Sequence, residues 1–355
     1  MNNVDQATAI RDGEELDSAR VEEFLRDSIP DLHGEMTLQQ FPAGNSNLTY
    51  LVAFGNLELV LRRPPFGRKA KTAHDMSREY TILSAIHPVY SYAPRPLVYS
   101  EDTAVMGCPF YVMEKITGII VRRDLPPTRD FSTHRVRELF ENLLKVQYEL
   151  HSLDYRKAGL ENFGKPRGYM QRQVLGWNKR YRQARTPDAP DGEAVMNWLE
   201  DKMPPESDRP GLIHNDFKFD NVILDPRDPL KIIGVLDWEM ATLGDPIMDL
   251  ACTLGYWIQK DDPQEHQAIR TMPTHLEGVP TRKEVVEIYS QLSGRTIENY
   301  DFYYCFGLFR LAVIAQQIYY RYYHGQTKDE RFKNMITAVA IDEKAAREII
   351  EKSRR

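Results

Sequence analysis

Apolar residues in the first third of the chain recur at the short period of strands. The runs 36–41, 49–54 and 57–61 each read as a strand, with Gly44 and the Gly55-Asn56 pair supplying turns. Ahead of them, residues 17–28 carry a helical pattern opened by Asp17 or Ser18 as N-cap. A helix is predicted over 73–86, stopped by Pro88, and a further strand over 110–113, ending at Glu114-Lys115. This third is expected to form a small, mostly antiparallel sheet with one helix inserted.

From Phe131 onward the spacing lengthens. Residues 136–151, 195–199 and 285–292 keep apolar positions three and four apart, the period of a helix with one buried face. One β-rich island, 212–238, interrupts this helical part, and the Pro-rich pieces at 187–190 and 204–210 read as loops.

Length and composition narrow the class. At roughly 100–200 residues per domain, 355 residues imply two structural units, and 42% hydrophobic content is enough to bury a core. The 46 basic residues against 52 acidic ones give a net charge of −6, which argues against a nucleic-acid binder. Cys108, Cys252 and Cys305 are too scattered for a disulfide framework or a zinc site and fit a reducing compartment. The polar N-terminus lacks a secretion signal. The most apolar stretch, 302–320, is interrupted by Arg310, Gln316 and Gln317. A soluble, cytoplasmic protein with no membrane partner is expected.

The island carries the candidate chemistry. His214-Asn215-Asp216-Phe217-Lys218-Phe219-Asp220-Asn221 leads into an apolar run, a turn at 225–229, a second apolar run and Asp237. This pattern predicts a β-hairpin with its midpoint near 229, in which Asn221 and Asp237 face each other. Opposed residues of an antiparallel pair sit roughly 4.5–5.5 Å apart at Cα. An amide oxygen and a carboxylate at that spacing suit Mg²⁺, a hard cation that takes oxygen ligands. Asp216, on the adjoining loop, could take a proton without ligating metal, and Lys218 could neutralise charge on a transferring phosphoryl group. A base, a cation and two metal ligands are the parts phosphoryl transfer requires.

The His-x-Asp-x-Lys-x-x-Asn segment, followed by a strand and Asp, resembles the catalytic core of protein kinases. The run 235–251, Val-Leu-Asp-Trp-Glu-Met-Ala-Thr-Leu-Gly-Asp-Pro-Ile-Met-Asp-Leu-Ala, resembles the aminoglycoside phosphotransferase family. The segments 44–50, 61–65 and 78–80, with Tyr169, Arg172 and Gln173, are similar to a branch of it, the kinase-like domain fused to certain acyl-CoA dehydrogenases. The likeness covers roughly residues 35–255, in order.

The resemblance implies a two-lobed, protein-kinase-like α+β fold, with a small antiparallel-sheet N-lobe over 1–114 and a larger helical C-lobe over 115–355. It implies ATP and Mg²⁺ as cofactors and a small-molecule hydroxyl as acceptor. Asp216 would be the catalytic base or a substrate-orienting carboxylate, and Asn221 and Asp237 the magnesium ligands. Gly44, Asn45, Ser46 and Asn47 would cover the ATP phosphates. Arg62 stands where many relatives have the phosphate-binding lysine, with Glu79 as its helix partner. Met113, Glu114 and Ile116 would belong to a hinge that reads adenine through backbone atoms.

The chain also departs from the family pattern. Arg replaces Lys at 62, and a forked guanidinium is not equivalent to an ammonium. Residue 215 is Asn where Gly is common in antibiotic-modifying relatives, and no Ala-Pro-Glu segment follows. Arg62 leaves room for a catalytically silent nucleotide-binding or scaffold protein of the same fold. His214, Asp245 and Asp249 read as structural residues and His151 as packing at a helix end, while the aromatics of 302–323 read as core or as part of an acceptor-pocket wall.

Residues 160–186 hold seven bases against one acid, Glu161. At 100° per residue, Met170, Val174, Trp177 and Tyr181 fall on one side of a helix, with Arg172, Lys179 and Arg182 opposite. If that basic face borders the substrate, it favours a polyanionic acceptor such as a hydroxyacyl thioester of coenzyme A over a polycationic aminoglycoside.

Overall fold

The computed structural model of the chain describes residues 6–42, 47–55, 57–66, 75–127 and 129–353. The chain opens with helix α1 (Ser18–Ser28) and strands β1 (Met36–Gln40), β2 (Leu48–Phe54) and β3 (Leu57–Arg63). Helix α2 (Met76–Ile86), strand β4 (Pro96–Ser100), the one-turn α3 (Thr103–Met106) and strand β5 (Phe110–Glu114) follow. Three long helices come next: α4 (Thr133–His151), α5 (Tyr169–Ala184) and α6 (Glu193–Asp201). Four short strands, β6 (Gly211–Ile213), β7 (Val222–Leu224), β8 (Ile232–Val235) and β9 (Thr242–Gly244), carry the island. Helices α7 (Pro246–Gly255), α8 (Gln264–Ile269), α9 (Arg282–Ser293), α10 (Tyr300–Tyr323) and α11 (Met335–Ser353) complete the chain. Among the described residues no helix is long and apolar enough to cross a membrane.

By compactness the chain forms two units. The first comprises 1–120, 156–160 and 221–241, and the second comprises 121–155, 161–220 and 242–355. The boundary set from the sequence, at 114/115, is linear, whereas these units are not.

In the first unit β1, β2, β3, β5 and β4 form one antiparallel sheet in that order. Alternation along the strands buries Tyr50, Val52 and Phe54 of β2 with Leu59 and Leu61 of β3, and α1 adds Val21 and Leu25. Asp17 caps α1 through the Arg20 N–H, as its sequence position predicts. Asp75 caps α2 in the same way through the Arg78 N–H. Strand β4 was not expected, because its irregular pairing with β5 and half-buried residues leave no alternating signal. The hairpin β7–β8 lies in this unit and is bridged to Ile119 through Leu224. That approach requires Gly118, where a Cβ would overlap the Ile223 side chain and the Leu224 carbonyl.

The second unit is helical around a core drawn from α5, α6, α7, α10 and α11, to which the paired strands β6 and β9 add Ile213. The aromatic stretch of α10 contributes Phe302, Phe306 and Phe309 to this core, while Tyr323 is exposed.

Candidate active site

The loop that follows β6 runs through a left-handed Asn215 into a 3-10 turn over Phe219–Asn221. His214, Phe217 and Phe219 are buried, whereas Asp216, Lys218 and Asp220 are partly exposed. Phe219 meets Phe140 of α4 edge-on, and the Phe217 carbonyl accepts the Thr253 hydroxyl at 2.9 Å. Two aromatic anchors thus hold three polar side chains outward. Lys218 Nζ lies 3.1 Å from Asp216 Oδ2 and 3.6 Å from Asp220 Oδ2, and Tyr256 donates its hydroxyl to Asp216 Oδ1 at 3.0 Å. The Lys218 ammonium also stands over the Tyr256 ring, 4.8 Å from its centroid.

Burial works to raise the Asp216 carboxyl, but the Lys218 ammonium and the Arg310 guanidinium outweigh it and hold the group below the usual aspartate range. Burial likewise works against the Lys218 charge, and Tyr256, Asp216 and Asp220 more than offset it. Asp220 moves the other way, because burial dominates over Lys218. The group left ionised and partly open to solvent is therefore Asp216, as a base needs.

Behind the loop, the Asp249 carboxylate of α7 accepts the backbone N–H groups of His214 at 2.9 Å and Asn215 at 2.6 Å. His151, the last residue of α4, bonds Asp249 through Nε2 and the Tyr289 hydroxyl through Nδ1. Asn215 is left-handed, with φ of 66°, a conformation open to Gly and tolerated by Asn. The same residue type therefore answers the family's glycine. Asp245 caps α7 through the Ile247 N–H, with Pro246 in the first turn.

In the first unit the β7–β8 register pairs Val222 with Val235 and Ile223 with Gly234. Asn221 therefore stands opposite Leu236, whose N–H its carbonyl accepts at 2.8 Å, and not opposite Asp237 as expected. The turn is centred nearer 228 than 229, with Leu224 opposite Ile232, and a β-bulge after Ile223 makes up only part of the difference. Asp237 comes one residue later and is left-handed, with φ of 66°. The metal that the family implies can be tested against these groups. Among the described residues no three His, Cys, Asp or Glu side chains are grouped to hold a metal. Asn221 and Asp237 offer an amide oxygen and a carboxylate, the sparse oxygen set that suits Mg²⁺ when phosphates and water complete its shell. The donor chemistry fits.

Arg62, at the end of β3, is buried and forked between Glu79 of α2 at 3.3 Å and Asp237 at 3.2 Å. Glu79 also receives the Tyr111 hydroxyl at 2.9 Å and the Asn47 amide at 2.9 Å, and Asn47 reaches Glu239 at 3.0 Å. Burial pushes the Glu79 carboxyl up, and Arg62 opposes it. Arg62 and Glu79 are thus a buried pair in a network, not a surface ion pair. Gly44, Asn45 and Ser46 lie outside the described residues. Met113 and Glu114 end β5, and the Glu114 side chain accepts the Arg95 N–H at 2.8 Å just before Ile116.

The basic stretch is α5, with Met170, Val174, Trp177 and Tyr181 buried and Arg172, Lys179 and Arg182 exposed. Arg172 turns back onto the carbonyls of Lys165 and Arg167. Arg182 is paired in fork fashion with Glu193 at 2.7 and 3.0 Å.

Sequence reasoning did not find Tyr256, Arg310, Asn47 with Glu239, or the attachment of Asp249 to the loop. Arg310 alone carried a signal, a single charge inside an apolar helix.

Residues 37–282 match the model of the phosphotransferase enzyme family. Human acyl-CoA dehydrogenase family member 11 is 32% identical over 335 residues, which is 92% of this chain and 42% of that protein. Mouse acyl-CoA dehydrogenase family member 10 is 36% identical over 295 residues, 82% of this chain and 27% of that protein. The chain therefore spans well under half the length of these relatives. A solved structure from Ralstonia eutropha JMP134, provisionally named an aminoglycoside phosphotransferase, superposes with a TM-score of 0.81 at 27% identity, covering 95% of this chain and 99% of that one. Choline kinase from Cryptosporidium parvum shares the fold, with a TM-score of 0.66 at 12% identity over 95% of this chain and 97% of that one.

Proposed function

This chain belongs to the phosphotransferase enzyme family, and from that premise we propose that it transfers the terminal phosphoryl group of ATP, with Mg²⁺, to a hydroxyl of a small molecule. The observation that carries the reading is the Asp216 carboxylate, oriented by Tyr256 at 3.0 Å and Lys218 at 3.1 Å on a loop fixed from behind by Asp249. An ionised carboxylate so held can take the acceptor's hydroxyl proton while that oxygen forms its bond to phosphorus and the bond to the ADP oxygen breaks. ATP with Mg²⁺, when bound, supplies the phosphoryl group and neutralises its charge.

In this reading Asn221 and Asp237 hold the metal through oxygen. Lys218, attached flexibly beside the base, meets negative charge on the transferring group. Gly44, Asn45, Ser46 and Asn47 cover the phosphates, with Arg62 and its partner Glu79 beneath them, and the backbone of Met113, Glu114 and Ile116 reads adenine. The test is ATP turnover by the purified protein, with and without Mg²⁺, across a panel of hydroxyl compounds. Mg²⁺-dependent transfer to one class of acceptor is expected, and ATP binding without transfer to any compound would contradict it.

For the acceptor, the exposed basic face of α5 favours a hydroxyl on an anionic carrier, such as a hydroxyacyl thioester of coenzyme A, over an aminoglycoside. Glu193 offsets part of that charge at Arg182. Phosphorylation of the two compound classes, repeated with Arg172, Lys179 and Arg182 changed to Ala, separates them. Efficient aminoglycoside phosphorylation, or indifference to the three changes, would overturn the anionic acceptor. One contact favours a second reading, a catalytically silent nucleotide binder: Arg62 places its guanidinium on Asp237, the group needed for metal. Loss of Mg²⁺-dependent nucleotide affinity in Asp237→Ala supports the first reading over the second.

A further inference from the structure

Arg310 is a full charge in the middle of α10, 2% exposed, where a guanidinium is costly unless its charge is answered. It donates from Nη2 to the Asn215 carbonyl at 2.6 Å and stands over the Trp177 ring, 5.3 Å from the centroid. Asn215 is the left-handed residue immediately before Asp216, and three of its polar positions are held: N–H by Asp249, carbonyl by Arg310, and side-chain oxygen by the Tyr169 hydroxyl at 2.8 Å.

We propose that Arg310 is a positioning residue for Asp216, fixing the peptide that aims the carboxylate and serving as its permanent buried counter-charge. This inference rests on the reading of Asp216 as the base. It divides the labour between two cations. Lys218 is partly exposed on a flexible stem, so it can leave Asp216 to meet a phosphoryl oxygen, whereas Arg310 is locked in the core. With Lys218 engaged elsewhere, Arg310 still favours the ionised carboxylate. Of the other groups facing Asp216, His214 and Asp220 share its loop, and Tyr256 and Cys252 approach from the α7 side. Burial alone would push Asp216 upward, and Arg310 acts against that.

The test is the titration of Asp216 itself, read by carbon NMR on protein labelled at aspartate, with its resonance identified by its loss in Asp216→Asn. The wild-type carboxyl is expected to titrate with its midpoint below the ordinary aspartate value of about 3.9. In Arg310→Gln, which removes the charge, the apparent pKa should rise by about one pH unit or more. In Arg310→Lys, which keeps the charge, most of that rise should be absent. Tyr169→Phe, which removes a different strut from Asn215, should leave the titration in place. An unshifted Arg310→Gln, or an equal shift in Tyr169→Phe, would overturn the proposal. A wild-type Asp216 midpoint above about 3.9 would do so even if no Arg310 variant folded. Because the readout needs no turnover, a protein without transferase activity but with these shifts refutes the proposed function and leaves the electrostatic role standing.

Discussion

Asp249 Oδ1 accepts the Asn215 N–H at 2.6 Å, and the carboxylate that does so is fully buried. A side chain of α7 thereby fixes backbone 34 residues earlier in the chain. Burial works to raise the Asp249 carboxyl, but the His151 bond and the loop N–H groups outweigh it, so the folded value is depressed. A depressed carboxyl stabilises the fold above its unfolded value of about 3.9, and this stabilisation fades as pH falls through the folded value. Asp249→Asn should lower unfolding free energy by roughly 2–3 kcal/mol at pH 7. Urea unfolding at pH 7 and near pH 3 checks this. The gap to wild type should narrow at the lower pH, and an equal gap at both would contradict the account.

Arg62 is predicted to matter through its fork. Removing one partner of a buried pair leaves an uncompensated charge, so Arg62→Ala should destabilise by about 3–5 kcal/mol. Arg62→Lys should recover only part of that, because one ammonium cannot span Glu79 and Asp237 as two guanidinium nitrogens do. Denaturant unfolding of the two variants decides it. Equal loss in both would show that the fork contributes nothing beyond its charge.

Tyr256→Phe keeps the ring under Lys218 and deletes the hydroxyl on Asp216 Oδ1. A hydrogen bond to a charged group contributes roughly 1.5–3 kcal/mol, so turnover should fall at least about tenfold. Nucleotide affinity should be unchanged. Steady-state kinetics beside a nucleotide-binding titration read both, and unaltered turnover would remove Tyr256 from the site.

Much of this architecture was legible because it depends on local pattern. The caps at Asp17 and Asp245, the buried stripe of α5 and the runs that became β2, β3 and β5 are short-range signals. The Asp216–Lys218–Asn221 spacing was legible for the same reason. What escaped lies in long-range contact or backbone irregularity. The hairpin register slipped because the turn is centred one residue earlier than its composition suggests, and the bulge after Ile223 only partly makes this up. Asp249 looked like an ordinary helix-start carboxylate, since nothing local shows that it would bond His214 and Asn215. Arg310 was visible only as an interruption of apolar sequence, and its partner lies 95 residues away.

The central claim is that Asp216 is the base of a phosphoryl transfer, and Asp216→Asn tests it most directly. The amide keeps the shape and cannot take the proton. Assayed with ATP, Mg²⁺ and whichever hydroxyl acceptor the wild type uses, this variant should bind nucleotide as the wild type does and lose transfer by about a hundredfold or more. Undiminished transfer in Asp216→Asn would contradict the account.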